Sequence, residues 1–82
     1  MGKLKVLSGH DVVFIFNAFG FHMASQRGSH VKLTRTMFRD EKQVLTLPLH
    51  DELDRGTLKA IIRQASRYIP ESELMVHFYH EK

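Results

Sequence analysis

Residues 26–33 read Gln26-Arg27-Gly28-Ser29-His30-Val31-Lys32-Leu33, a pattern that predicts a tight turn followed by a β-strand. Gly28 can adopt the positive φ that such a turn requires. Beyond the turn, successive side chains of a strand point to opposite faces. The two faces are therefore expected to differ, with His30, Lys32 and Thr34 on the open side and Val31, Leu33 and Arg35 toward the core.

His30 and Lys32 are the residues of this stretch that point to chemistry. An imidazole can accept or donate a proton near neutral pH, and a neighbouring cation can stabilise negative charge on a phosphate. A histidine and a lysine two residues apart on one face of a strand fit a site that acts on a phosphate. The competing interpretation is that His30 is an ordinary surface residue beside a turn.

The composition describes a small, basic domain. With 82 residues and 43% hydrophobic content, one folded domain over residues 1–82 is expected. Residues 1–39 hold six Lys or Arg and one Asp, net +5, whereas residues 40–82 hold six Lys or Arg and eight acidic residues, net −2. A basic N-terminal half is typical of a nucleic-acid partner, although a total charge of +3 also fits a generic basic protein.

The residue types and segments that the sequence lacks also restrict the cellular compartment and the kinds of site that it predicts. The sequence has no cysteine, which excludes disulfides and thiolate metal sites and fits a reducing cytoplasm. Since no apolar run approaches the about 20 residues of a membrane span, we expect a cytoplasmic protein without a membrane contact. His77 and His80 are only a weak match to metal-ligand spacing, so neither a metal nor another cofactor is expected.

Hydrophobic spacing and chain-end signals predict the order α-β-β-β-α with an added C-terminal helix. Ser8 and Asp11 form a capping-box pattern, and Gly20 suits the end of the first helix. The elements are expected at these positions: helix one 9–19, strands 21–27, 30–36 and 43–47, a polar loop 37–42, helix two from a Thr57 cap to about 69, and a short helix after Pro70.

Three large apolar side chains, Phe14, Phe21 and Met23, are predicted in or beside the core. Phe21 and Met23 are expected on the core face of the first strand. Phe14 lies off the apolar stripe of helix one and is expected to border the core, with an exposed partner contact as the alternative.

The outer face of helix two carries cations at spacing i, i+4, i+8, namely Lys59, Arg63 and Arg67. Such a ridge either holds phosphates or is simply a solvated helix face.

Three meandering antiparallel strands can pack helices on one face and leave the other open. We therefore predict an α+β fold of the double-stranded-RNA-binding-domain type with a three-stranded antiparallel sheet.

Several short motifs in a fixed order match a known family. They are Ser8-Gly9, Phe19-Gly20-Phe21, Arg27-Gly28-Ser29-His30, Leu47-Pro48 with His50 beyond, and Gly56-Thr57-Leu58 with Ile61-Ile62-Arg63-Gln64-Ala65. With these motifs the chain resembles the HicA (YcfA-like) toxins of bacterial and archaeal toxin–antitoxin modules. The resemblance covers about residues 8–69, while the loop 36–42 looks longer than usual and residues 70–82 form an extension.

The resemblance implies a toxin that cleaves mRNA without a metal and is neutralised by a HicB antitoxin. It assigns catalysis to the histidine of Gly-Ser-His, which corresponds to His30. We expect Ser29 and Lys32 to support His30, and cleavage to use the 2′-hydroxyl of the RNA itself. The residues expected to contact RNA are Arg27, Gly28, Ser29, Lys32, Lys59, Arg63 and Arg67, and the alternative for Arg27 is an orientation toward the edge of the core face.

A single histidine supplies only half of an acid–base pair. His50, just after the third strand, is the best second candidate, but a role in orienting its own loop fits the sequence equally well. A non-catalytic RNA-binding module of the same fold and a protein-interaction domain are the alternative functions. The sequence does not determine the oligomeric state of the free protein, and a hetero-oligomer with the antitoxin is the expected assembly.

Overall fold

The computed structural model describes residues 2–80 and confirms the predicted α+β class. The order is α-β-β-β-α-α: α1 (Gly9–Ala18), β1 (His22–Arg27), β2 (His30–Thr36), β3 (Lys42–Pro48), α2 (Arg55–Ala65) and α3 (Glu71–Phe78). The predicted 1–82 domain and 70–82 extension also include Met1, Glu81 and Lys82, which lie outside the described residues.

The three strands form one antiparallel sheet in the order β1-β2-β3, so that β2 is central. The core-facing aliphatic residues of β2 and β3 are buried, namely Val31, Leu33, Leu45 and Leu47. They form one cluster with apolar residues of α1 and α2, including Val12, Phe16, Leu58 and Ile61. His30 and Lys32 alternate with these residues and are exposed. The helices therefore cover one face of the sheet and leave the other open, as predicted.

The predicted signals at both ends of α1 are confirmed. The Ser8 hydroxyl accepts from the Asp11 N–H at 3.0 Å, and the Asp11 carboxylate accepts from the Ser8 N–H at 2.9 Å. At the other end Gly20 has φ +91°, and the Phe21 N–H reaches back to the Phe16 carbonyl at 3.0 Å. The rings of Phe16 and Phe21 lie 6.0 Å apart, which adds the apolar contact of a Schellman ending.

The predicted start of α2 is wrong by about three residues. Asp54, and not Thr57, caps the helix, because its side chain accepts from the Thr57 N–H at 2.7 Å. Arg55 and Gly56 therefore belong to the first helical turn. The helix also ends earlier than predicted, at Ala65, and Ile69 reaches the core from the turn that follows.

The C-terminal segment completes the core. Leu74 and Phe78 of α3 are fully buried, and the Phe78 ring lies 5.9 Å from the Phe16 ring. Beyond the helix, Tyr79 pairs with Leu4 in an antiparallel bridge. The extension predicted after Pro70 is therefore packed against both the helical layer and the N-terminal segment.

Two expected core contacts and one loop differ from prediction. Phe14 points away from the core and is 77% exposed, so the prediction that it borders the core is wrong. Met23 pairs with Leu33 on the core side but is 49% exposed, because β1 is an edge strand. The loop predicted at 37–42 contains a 3₁₀ turn, Phe38–Asp40.

No helix within residues 2–80 has the length and hydrophobicity of a membrane span.

Candidate active site

The hairpin turn has the geometry that its sequence predicts. Gly28 has φ +60°, and it is the only residue of the two-residue turn with a positive φ. This pattern is that of a type II′ turn, which matches the twist of antiparallel strands. A Cβ on Gly28 would meet nothing within 4 Å, so the backbone conformation alone favours glycine here. The turn places Arg27 directly opposite His30.

An irregularity in β1 lets the start of the strand face the core while its hairpin end shares the face of His30. The register shifts between Met23 and Ser25, with Met23 opposite Leu33 and Ser25 opposite Lys32. Strict alternation from Phe21 would place Ser25 and Arg27 on the core side. The extra residue of the bulge moves both of them to the open face. Sequence reasoning left the face of Arg27 undecided, because no glycine or proline marks this bulge.

Two rows of side chains therefore cross the open face at its hairpin end. One row is Arg27–His30–Pro48 and the next is Ser25–Lys32–Thr46, each joining residues that are directly paired. Opposite residues of an antiparallel pair are about 4.5–5.5 Å apart at Cβ. These rows surround a shallow depression of about 360 Å³, lined by Ser25, Arg27, His30, Val31, Lys32 and Thr46. Of the predicted site residues, Arg27, His30 and Lys32 are thus brought together.

Backbone contacts bring three of the sequence motifs to the same end of the sheet. The Leu49 N–H donates to the Ser29 carbonyl, which extends the β2–β3 pairing past Pro48. The Gly9 N–H donates to the His50 carbonyl at 2.9 Å. A Cβ on Gly9 would collide with the backbone of Pro48 and Leu49, so α1 docks here only because residue 9 lacks a side chain.

His50 lies at this end of the sheet, and its side chain is exposed. It lies near Asp54, the cap of α2. Hydrogen bonds from the Thr57 side chain and N–H lower the pKa of Asp54 below its usual value, and His50 adds a smaller electrostatic contribution. His50 follows Pro48, the strand residue that pairs with His30, by only two positions.

The capping carboxylate of α1 shows the same effect. The Ser8 backbone N–H and then the Ser8 hydroxyl hold the pKa of Asp11 below its usual value, with a smaller contribution from His10. Both capping aspartates are thus ionised and occupied with helix ends, which leaves them poorly placed as proton acceptors for a substrate.

The cation ridge of α2 lies apart from the hairpin. Lys59 and Arg63 line a depression of about 240 Å³ together with Ile62, Ser66, Glu71 and Tyr79, none of which belongs to the sheet. Arg67 lies in the turn after the helix end at Ala65. The structure therefore does not bring these three cations into the depression that contains His30.

Sequence reasoning missed the role of Gln64. Its side chain accepts from the Thr46 N–H at 2.9 Å and donates to the Thr46 carbonyl at 3.1 Å. This pair of bonds satisfies the outer edge of β3 at the residue that flanks Lys32 across the sheet. The available signal was an amide at the border of the apolar stripe of α2, which on its own does not identify a partner.

Arg35 was predicted on the core side, and the structure shows what it does there. Its guanidinium donates to the Phe19 carbonyl at 2.8 Å and to the Gln43 side chain at 2.7 and 2.9 Å. It also lies 4.7 Å from the centre of the Phe21 ring. The arginine thereby joins the end of α1 to β2 and β3. A cation at an inward position of the predicted strand was the signal for such a role.

Within residues 2–80 no three His, Asp or Glu side chains cluster in a way that could hold a metal ion.

A family model described as HicA toxin of bacterial toxin-antitoxin matches residues 9–66, about seven-tenths of the chain. The match includes α1, the whole sheet and α2, and it ends before α3. No match was found among curated proteins or among solved structures.

Proposed function

Because the chain belongs to the HicA family of bacterial toxin–antitoxin toxins, we propose that it is an endoribonuclease that cleaves mRNA at the open face of its sheet. One observation carries the proposal: the hairpin turn places Arg27 opposite His30, on the face that also holds Lys32. A base, a lysine and an arginine within two adjacent rows are the groups that phosphodiester cleavage needs. We further propose that it acts in the cytoplasm, where mRNA is translated.

The reaction we propose needs no external nucleophile. The 2′-oxygen of the RNA attacks the adjacent phosphorus while its proton moves to a base, and the bond from phosphorus to the 5′-oxygen breaks. The leaving 5′-oxygen takes up a proton from an acid. The products are a 2′,3′-cyclic phosphate and a 5′-hydroxyl. His30 serves as the base when neutral or as the acid when protonated, since an imidazole exists in both forms near neutral pH.

The neighbours of His30 are assigned to the charge that develops on the phosphate. Lys32 lies one row away on the same face, and Arg27 lies across the pair from His30. Both cations can contact non-bridging oxygens as negative charge increases in the transition state. We assign Ser29 and the backbone N–H groups at Gly28 to the phosphate as well, because turn amides form anion-binding concavities.

We propose His50 as the second proton-transfer group, at the same end of the sheet. The contact of Leu49 with Ser29 supports this assignment, because it holds the residue before His50 against the hairpin turn. Lys59, Arg63 and Arg67 are assigned a different role. They lie on the helical side of the domain, so we propose that they contact RNA only where it extends beyond the cleavage site.

The partner we propose is a HicB-type antitoxin that covers the open sheet face and His30. An uncovered face with exposed Arg27, His30 and Lys32 is a surface that an inhibitor must occlude to stop cleavage. Hydrogen exchange and cross-linking of the complex would locate the contact. A complex in which only the helices are covered and His30 stays accessible would contradict this mode of inhibition.

The decisive experiment compares wild type with His30→Ala on a labelled RNA and identifies the product ends. Because His30 is exposed, the variant should fold normally, which circular dichroism and thermal unfolding will verify. We expect cleavage to fall by about 100-fold or more, the usual contribution of an acid or base. His80→Ala replaces another exposed histidine outside the sheet and serves as the control. Cleavage by folded His30→Ala at the wild-type rate would refute the mechanism.

The same experiment separates the alternative functions. RNA binding by wild type that falls steeply with salt, without cleavage under any condition, would indicate a non-catalytic RNA-binding module. Binding to an antitoxin without any salt-dependent affinity for RNA would indicate a protein-interaction domain.

A further inference from the structure

The open face continues beyond the depression at His30 toward the far end of β2. Along it the next two rows pair His22 with Thr34 and Thr36 with Lys42. These residues share the face of Lys32, because positions 30, 32, 34 and 36 of β2 point the same way. His22, Thr36 and Lys42 are exposed. The rows are two residues apart, which corresponds to about 6.7 Å along the strand.

Charge is distributed along this face with one sign. Each row contributes a cation or a histidine, in the order Arg27, Lys32, His22 and Lys42 from the hairpin to the far end. None of the residues paired in these four rows is acidic. The spacing between rows is close to the distance between successive phosphates in an extended single strand. A linear polyanion with that repeat therefore complements the whole length of the face.

The loop after β2 places an uncovered aromatic ring at the end of this row of cations. Phe38 is 88% exposed, the highest value among the large apolar side chains of residues 2–80. The loop that carries it is closed by a hydrogen bond from the Met37 N–H to the Glu41 carbonyl at 2.7 Å. Arg39 and Asp40 both have positive φ, 65° and 61°, although neither is glycine. Such strain persists where the surrounding structure enforces it, often at binding sites.

We propose that single-stranded RNA lies along β2 from His30 to Phe38, with successive phosphates at Lys32, His22 and Lys42 and an unpaired base stacked on Phe38. The proposal rests on the proposed function for the position of the cleaved bond. It adds the strandedness of the substrate, its path and its length. A base stacked on Phe38 must be unpaired, and single strands are bound by this combination of cations along a backbone and aromatic rings for bases.

Substrate length is the direct test. DNA oligonucleotides with a single ribonucleotide can be cleaved at one bond only, since only that sugar has a 2′-hydroxyl. The ribonucleotide is made with each of the four bases in turn, and one to six deoxynucleotides are added on one side or the other. We expect kcat/KM to rise until one side has about four nucleotides. About four rows of about 6.7 Å each separate His30 from Phe38, so a strand of that length reaches the Phe38 ring. Extension of the other side should have a much smaller effect.

Variants then assign the gain to individual residues. Phe38→Ala should reduce kcat/KM for the long substrate by about 5–150-fold, the range of base stacking, and leave the short substrate unchanged. Phe38→Trp should retain the gain. Phe14→Ala is the matched control, because Phe14 is a similarly exposed phenylalanine on α1. In a plot of log affinity against log salt concentration, Lys42→Gln should make the negative slope shallower by about 0.7, the value of one single-strand phosphate contact. Lys3→Gln, at an exposed lysine outside the sheet, should not.

Binding measured by fluorescence anisotropy with all-deoxy oligonucleotides separates this inference from the proposed function. Cleavage that does not depend on the length of either side, with Phe38→Ala equal to wild type, would overturn the path along β2 and leave the nuclease proposal intact. Length-dependent binding that requires Phe38, without cleavage of any substrate, would support the path and refute the nuclease proposal. Loss of antitoxin binding by Phe38→Ala with unchanged RNA binding would make the loop a protein contact and overturn the inference.

Discussion

Gly9→Ala is the substitution whose effect the structure predicts most sharply. Residue 9 lies in the first turn of α1, where alanine is normally preferred to glycine. Here a Cβ would collide with the Pro48 carbonyl oxygen and would lie 2.5 Å from the Leu49 Cα. Both atoms belong to the backbone at the end of β3. The helix must therefore move by about 1 Å to restore ordinary contact at about 3.5 Å.

The size of the effect follows from three contributions. Overpacking against a fixed backbone costs about 1–3 kcal/mol. The same shift would stretch the 2.9 Å bond from the Gly9 N–H to the His50 carbonyl beyond hydrogen-bond range, which costs about 1 kcal/mol more. The lower flexibility of alanine in the unfolded chain offsets about 0.4–1 kcal/mol. We expect Gly9→Ala to lower the free energy of unfolding by about 1–3.5 kcal/mol.

Gly56→Ala is the matched control, because Gly56 lies in the first turn of α2 and a Cβ there would meet nothing within 4 Å. The same substitution should stabilise the protein at this position by about 0.5–1 kcal/mol. Urea denaturation followed by circular dichroism measures both, and Tm should change by about 4–8 °C per kcal/mol in a domain of this size. A Gly9→Ala variant as stable as wild type would refute the close docking of α1 on β3.

Three further predictions concern stability. Arg35→Met keeps the alkyl chain but removes the hydrogen bonds to Phe19 and Gln43, so the free energy of unfolding should fall by about 2–3 kcal/mol in urea. Gln64→Ala should accelerate hydrogen exchange of the Thr46 amide, which loses its acceptor, and should cost about 1–2 kcal/mol. Because the folded pKa values of Asp11 and Asp54 lie below the usual 3.8, their contribution is complete above that pH and is lost as pH falls through the folded values.

Each of these has an outcome that would contradict it. Arg55→Met, at an exposed arginine of α2, should change stability little, and an equal loss in both variants would remove the case for Arg35. Unchanged exchange at Thr46 in Gln64→Ala would mean that the edge of β3 does not depend on Gln64. For the carboxylates, Tm is measured from pH 6 to below pH 3, and Asp11→Asn and Asp54→Asn should each flatten the decline. A decline as steep as that of wild type would contradict the capping role.

Periodicity predicted what depends on neighbours in sequence. The alternation from His30 to Arg35 identified both faces of β2, including the inward position of the arginine. The capping box at Ser8 and the glycine at residue 20 located α1 to within one residue. These features are local, because the hydrogen bonds that define them join residues three to five positions apart.

Other features depend on contacts that a sequence pattern does not contain. The bulge after Met23 has no characteristic residue, yet it determines that Met23 pairs on the core side while Arg27, farther along the same strand, lies on the face of His30. Thr57 and Asp54 are both acceptable helix caps, and only the folded chain shows which one is used. Phe14 was assigned to the border of the core on frequency alone, and the folded chain shows that its side chain is exposed. The partner of Gln64 lies 18 residues away and is a backbone group, which carries no side-chain signal.

The contact between Gln64 and Thr46 also bears on how the protein behaves at high concentration. An open sheet has two edges, and unpaired edges invite strands of other molecules to add to them and aggregate. Gln64 occupies the middle of one edge, and Pro48 at its end has no N–H to offer. The opposite edge is β1, where the bulge disturbs the regular row of donors and acceptors. An amide side chain and an irregular strand thus protect a small sheet from self-association while its open face remains free for a ligand.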